Sequence, residues 1–147
     1  MIWHMDITRR AFALVAICSI ALYLSVPGSH AGDAAEANAP EKGIQHVDAK
    51  QAQKLIAEKK VIVLDIRKPS EFSAGRIAGA KNIDFLEPDF EKRIDELDKS
   101  KSYLVHCASG GRSTHSLLLF KKHEFQSIYH LDGGIKAWEK AGLPIEK

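Results

Sequence analysis

The hydrophobic pattern divides the chain into two unlike parts. From Ala11 to Val26 the residues run apolar for sixteen positions, broken only by Ser19 and Ser25. Beyond Gly43 short apolar runs alternate with stretches whose apolar residues recur every three or four positions. Such alternation predicts strands interleaved with helices. Ile44–Val47 reads as a short first strand, and Asp48 can cap a helix over Ala49–Lys59 with Ala52, Leu55 and Ile56 on one face. Val61-Ile62-Val63-Leu64 is a continuous run of the kind buried on both faces of a sheet.

Pro69 opens a short helix through Ser73, Ala80–Ile83 reads as a strand, and Phe90, Ile94 and Leu97 mark another helix. Tyr103–His106 is the next buried strand, followed by a helix over Ser113–Lys122 with Leu117, Leu118 and Phe120 as core candidates. Ile128–Leu131 is a strand, Gly133-Gly134 a turn, and Ile135–Lys140 a last helix anchored by Trp138 and ended by Gly142 and Pro144. The expected class is α/β: a mostly parallel open sheet of about five strands with helices on both faces.

The first apolar run is too short for the roughly 20 residues that a spanning helix needs. It follows a polar start bearing Arg9 and Arg10 and precedes Ser29-His30-Ala31, small residues at the positions a signal peptidase reads. Residues 1–31 therefore read as an export signal cleaved after Ala31, with an uncleaved anchor as the rival. Thr8-Arg9-Arg10-Ala11-Phe12-Ala13-Leu14 is similar to a twin-arginine signal, and the general secretory route fits equally. Either delivers the chain across a bacterial membrane, to the periplasm. Residues 32–43, rich in Ala, Glu, Pro and Gly, form a linker, and 44–147 the single domain.

Composition narrows the function by exclusion. The chain has 147 residues, with 21 Lys and Arg against 19 Asp and Glu, and no long basic run, so it carries no footprint for nucleic acid. Two cysteines cannot build a disulfide scaffold or a four-thiolate zinc site. Cys18 lies inside the apolar run as a small hydrophobe, which leaves Cys107 alone in the exported part. A lone thiol in an oxidising compartment is either paired between molecules or kept for its reactivity.

Its surroundings favour reactivity. Cys107-Ala108-Ser109-Gly110-Gly111-Arg112-Ser113 joins the end of a strand to the start of a helix, where α/β sheets bind ligands. Backbone N–H groups there can converge on an anion, the helix start adds positive potential, and Arg112 adds a permanent charge. All three stabilise a thiolate, in the electropositive and partly exposed setting of an activated cysteine. The bland alternative is an inert buried cysteine in a glycine-rich connection.

Three separated stretches in order resemble the single-domain rhodaneses: the Cys107–Ser113 loop, Asp65-Ile66-Arg67 with Glu71-Phe72 and Gly75–Ile83, and Leu131-Asp132-Gly133-Gly134-Ile135 with Ala137-Trp138 and Ala141–Pro144. The resemblance covers about residues 44–147. Arg76 and Ala78 depart from the family's usual His and Pro, which loosens the upstream turn and leaves the loop alone. The resemblance implies a sulfurtransferase in which Cys107 takes a sulfane sulfur from a donor such as thiosulfate and passes it to cyanide or a thiol. The N–H groups from Ala108 to Ser113 would hold the persulfide, and Arg112 would attract the anionic donor from a side chain reaching toward solvent. No metal or organic cofactor is implied, the partners are small molecules, and the protein is expected as a monomer that meets a membrane only during export.

Phosphatases and arsenate reductases of this fold are the rival, but they place one residue more between cysteine and arginine than the four here, Ala108–Gly111. A non-catalytic binding module is a third reading, disfavoured by the presence of Cys107. His106 should face away from Cys107 as a satisfied core histidine. Asp65 and Arg67 share a face near a strand end. They either brace the loop or join Glu71 in a structural salt bridge. The remaining histidines lack paired metal-ligand spacing.

Overall fold

The computed structural model describes residues 42–147; the export signal and all but the last two residues of the linker, as read from the sequence, lie outside them. Five strands form one parallel sheet: β1 (Gly43–Val47), β2 (Ile62–Asp65), β3 (Lys81–Asn82), β4 (Ser102–His106) and β5 (Ser127–Leu131), in the order β1-β5-β4-β2-β3. Between and after them run α1 (Ala49–Ala57), α2 (Pro69–Ala74), α3 (Phe90–Asp95), α4 (Gly111–Lys122) and α5 (Gly134–Lys140). The parallel sheet with helices on both faces is the expected architecture.

The two-residue period of β4 builds the two cores. Tyr103, Val105 and Cys107 point to one side, where Leu117 and Phe120 of α4 and Phe90 and Ile94 of α3 cover them. Leu104 points to the other side, where Ala49 and Ala52 of α1 and Ile135 and Trp138 of α5 pack. Burial on both sides explains why β4 and β5 are buried at every position. Trp138 is core as expected, and its indole N–H donates to the Pro144 carbonyl at 2.9 Å.

Asp48 caps α1 by accepting from the Gln51 N–H at 2.8 Å, while Gln51 returns a bond to the Asp48 N–H. That helix stops at Ala57 rather than Lys59, because Lys59 turns to φ +54° and the N–H of Lys60 bonds back to Leu55. The strand expected over Ala80–Ile83 shrinks to Lys81–Asn82 at the sheet edge. There the Asn82 side-chain amide donates to the carbonyls of Asp65 and Arg67, beside backbone bonds from Ile83 to Asp65 and from Phe85 to Ile66. Leu118 is not core: it is 73% exposed, since a position between Leu117 and Phe120 turns away from the sheet.

The upstream turn, where Arg76 and Ala78 depart from the family's usual residues, is tied to the last residues of the chain. Arg76 and Glu146 exchange two backbone hydrogen bonds of 2.8 Å, and the Arg76 guanidinium lies over the Phe72 ring at 5.1 Å.

Candidate active site

The loop that the sequence marks as the candidate site follows β4, at the carboxyl end of the central strand. Its last two residues before Ser113 belong to α4, which starts at Gly111 rather than Ser113. Gly110 caps that helix at φ +97°, a left-handed conformation that glycine adopts freely. This bend sends the Gly110 N–H to the Cys107 sulfur at 3.2 Å, and the Ser113 hydroxyl lies 3.6 Å from the same atom.

The opposite side of the loop is held by the start of α5. The N–H groups of Ile135 and Lys136 donate to the carbonyls of Cys107 and Ala108 at 2.9 and 3.1 Å. With those carbonyls turned outward, N–H groups are left facing inward. Gly134 makes the approach possible, because a Cβ at its position would stand 2.4 Å from the Cys107 carbonyl oxygen. The glycine pair read from sequence as a turn is therefore also a clamp on the loop.

Cys107 is buried, 1% exposed, and not partly exposed as the activated-thiol reading anticipates. Burial is the largest influence on its thiol and pushes the pKa up. The Ser113 N–H and hydroxyl and the N–H groups of Ser109 and Gly110 outweigh it and bring the pKa below its ordinary value. The sulfur thus lies in a small cradle of donors that favour its anion, with Ser109 and Gly111 exposed on the loop around it.

Arg112 does not reach freely toward solvent. Its guanidinium is forked on Glu71, with two bonds of 2.8 Å, and is partly buried. The Glu71 carboxylate is held down to about 2, chiefly by that fork, against the upward pull of burial and with help from the Lys68 N–H. Arg112 in turn is raised above its ordinary value first by the Glu71 bond, with smaller contributions from the Cys107 sulfur. The cation is therefore paired with Glu71 and also feels the charge of the Cys107 sulfur.

Asp65 and Arg67 form a salt bridge, but Glu71 is not in it. The Arg67 fork spans the buried Asp65 carboxylate at 2.6 to 3.0 Å and also donates to the Gly75 carbonyl at 2.6 Å. The pair braces the turn from β2 through α2, the helix that carries Glu71. Its link to the loop is indirect. His106 faces away from Cys107 as expected, yet it is not satisfied: its Nε2 is buried without a hydrogen-bond partner, 3.8 Å from Asp65.

Sequence reasoning misses a second polar group behind the sulfur. His130, at the end of β5, lies with Nε2 2.8 Å from the Ser113 hydroxyl and Nδ1 2.8 Å from Asp132. His46, the register partner of His130 on β1, bonds the same Asp132 oxygen at 2.8 Å. The available signal is the spacing of His130 and Asp132, two apart at the carboxyl end of a strand and hence on one side.

A family described as Rhodanese-like domain matches residues 48–141. The chain is 31% identical over 102 residues to the thiosulfate sulfurtransferase GlpE of Vibrio cholerae, covering 69% of this chain and 93% of that one. A sulfurtransferase of Allochromatium vinosum is 31% identical over 104 residues, covering 69% and 94%. The chain spans less of other relatives: 66% of the chloroplastic rhodanese-like domain-containing protein 14 of Arabidopsis thaliana and 30% of a tRNA uridine(34) hydroxylase of Pelagibacter ubique. Among solved structures, a rhodanese-related protein of Thermoplasma volcanium superposes with a TM-score of 0.63 at 29% identity, covering 69% of this chain and 97% of that one. The family match spans the parallel sheet and the loop after β4, and the chain belongs to the rhodanese-like domain family.

Proposed function

We propose that the domain is an exported sulfurtransferase. The observation that carries the reading is the Cys107 sulfur itself, buried yet surrounded by N–H and O–H donors that favour its anion. The thiolate attacks the outer sulfur of thiosulfate; a new S–S bond forms, the old one breaks, and sulfite leaves with the electron pair. The cradle then holds a cysteine persulfide. Attack by cyanide or a thiolate on the outer sulfur returns the Cys107 thiolate and releases thiocyanate or a persulfide. The donors around Cys107 serve both halves, because the anion returns to the same place.

The names of the sulfurtransferase relatives in Vibrio cholerae and Allochromatium vinosum support this class of reaction. The four residues between Cys107 and Arg112 support sulfur over a tetrahedral phosphoryl group, since the tighter cradle fits a single sulfur atom.

Mass spectrometry of the protein after exposure to thiosulfate tests the reading. A gain of about 32 Da, one sulfur atom, on Cys107, lost on adding cyanide, is the expected result. Absence of that adduct together with turnover of a generic phosphate ester would replace sulfur transfer by the phosphatase reading.

A further inference from the structure

The Ser113 hydroxyl has one proton and three acceptors within reach. The Gly110 carbonyl lies at 2.9 Å, His130 Nε2 at 2.8 Å and the Cys107 sulfur at 3.6 Å. What His130 does therefore decides what Ser113 can offer the sulfur. Asp132 is an acceptor only, so its 2.8 Å contact fixes the Nδ1 proton of His130 and leaves Nε2 of the neutral ring to accept.

We infer that His130, aligned by Asp132, is a positioning residue that takes up the Cys107 thiol proton through Ser113. The thiol S–H bond breaks as that proton passes to Ser113 Oγ, and the hydroxyl's own proton passes to His130 Nε2. The products are a thiolate and an imidazolium, with Asp132 holding the positive ring and Ser113 now donating toward the sulfur anion. No electron changes hands, and the serine ends as it began. The inference rests on Cys107 acting as the nucleophile in the reading above.

Three features distinguish this arrangement from an ordinary buried histidine. His130 is 2% exposed, and a polar ring placed there needs partners at both nitrogens, which it has. The three residues come from separate places, the start of α4, the end of β5 and the residue after it, and converge on one line toward the sulfur. Burial of Ser113 and His130 also removes competing water from the bond between them, so its direction is set by the protein. The titratable groups against the His130 ring are Asp132, His46, whose ring centroid lies 4.9 Å away from β1, and, across Ser113, Cys107. The Thr114 hydroxyl approaches Nε2 at 3.4 Å and also bonds the Gly110 carbonyl.

The test is the pH dependence of iodoacetamide alkylation at Cys107 in the full chain, followed by peptide mass spectrometry so that Cys18 is counted separately. His130→Gln keeps amide groups for both neighbours but cannot hold the added proton. Its alkylation midpoint should rise by about one pH unit, about tenfold slower alkylation below the midpoint. Ser113→Ala should give a similar shift, and the double variant no more than either single one. A His130→Gln profile superposed on wild type, or shifts that add, would overturn the relay. If His130→Gln does not fold, Asp132→Asn decides: a raised midpoint supports the relay and an unmoved one ends it. Alkylation needs no sulfur donor, so a shifted profile in a protein that gains no sulfur from thiosulfate would sink the sulfurtransferase reading and leave the relay standing.

Discussion

Glu71 and Arg112, 41 residues apart, are joined by two parallel hydrogen bonds of 2.8 Å at the rim of the cysteine loop. Bidentate carboxylate–guanidinium pairs are stiff as well as strong. This one places a full negative charge beside the cation expected to draw in an anionic donor.

The first prediction concerns that charge balance. Arg112→Ala leaves Glu71 alone at the rim, so thiosulfate meets a carboxylate where it met a neutralised pair. KM for thiosulfate should rise about tenfold or more, the scale of one lost charged hydrogen bond, with kcat spared. Adding Glu71→Gln to Arg112→Ala should recover part of the loss by removing the repulsion. Arg112→Lys should recover part of it through charge without the fork. Steady-state kinetics on the three variants check this; a fall in kcat at unchanged KM would show that Arg112 serves the sulfur instead.

Acid stability gives the second. Glu71 is lowered from 4.5 to about 2, so the folded carboxylate stays charged where the unfolded one takes a proton. Its contribution is whole above about pH 4.5 and is lost as pH falls from there toward 2. The difference in urea midpoint between wild type and Glu71→Gln should therefore be constant near neutrality and shrink across that interval. A difference flat from pH 6 to about pH 2 would mean that the fork adds nothing to folding.

The strand-and-helix order, both cores and the cysteine loop are legible in the sequence because each is local. A run such as Val61–Leu64 or a pattern such as Phe90 and Ile94 carries its own period, and the loop is seven adjacent residues. The partnerships are not local. Glu71 is visible within the upstream stretch, yet nothing in its neighbourhood says that its partner is Arg112 rather than Arg67. That choice is made by α2, which Arg67 and Asp65 hold in place from below. The group of His46, His130 and Asp132 is hidden for the same reason: two of its members are brought together only by the pairing of β1 with β5. Leu118 fails in the opposite direction, as an apolar residue that the helix period assigns to solvent. Its replacement by Lys should change stability by no more than about 0.5 kcal/mol, whereas Phe120→Ala should cost about 3–5 kcal/mol.

His106 supplies the third, with the opposite origin from Glu71. Burial is the main influence on its ring and lowers the pKa below 6.5; Asp65 and the Cys107 carbonyl pull the other way without prevailing. A ring kept neutral in the fold but free to charge once unfolded favours the unfolded state in acid. Stability should fall as pH drops below 6.5, by at most about 1.4 kcal/mol per pH unit from this group. In His106→Leu that component is gone, so the gap between variant and wild type should move in the variant's favour from pH 7 to 5. Urea unfolding at several pH values measures it, and parallel curves would show that His106 titrates alike in both states.

The last prediction isolates the clamp on the loop. Gly134 has φ +60°, and a methyl group there would lie 2.4 Å from the Cys107 carbonyl oxygen and 2.9 Å from the Ala108 carbonyl. No flexible side chain can yield, because the obstacle is backbone that accepts hydrogen bonds from Ile135 and Lys136. Gly142 is the control: its φ is +73°, and nothing lies within 4 Å of a Cβ placed on it. Gly142→Ala should therefore cost only the backbone penalty, about 1 kcal/mol. Gly134→Ala should cost that plus displacement of the loop, about 3 kcal/mol or more. The two variants should also differ in chemistry. Pushing the Cys107 carbonyl away rotates the Cys107–Ala108 peptide, the first of the cradle, so Gly134→Ala should lose sulfur uptake from thiosulfate even at temperatures where it remains folded. Gly142→Ala should keep it. Equal destabilisation of the two, measured by urea unfolding, would show that the start of α5 yields readily and that the cradle owes its shape to Gly110 alone.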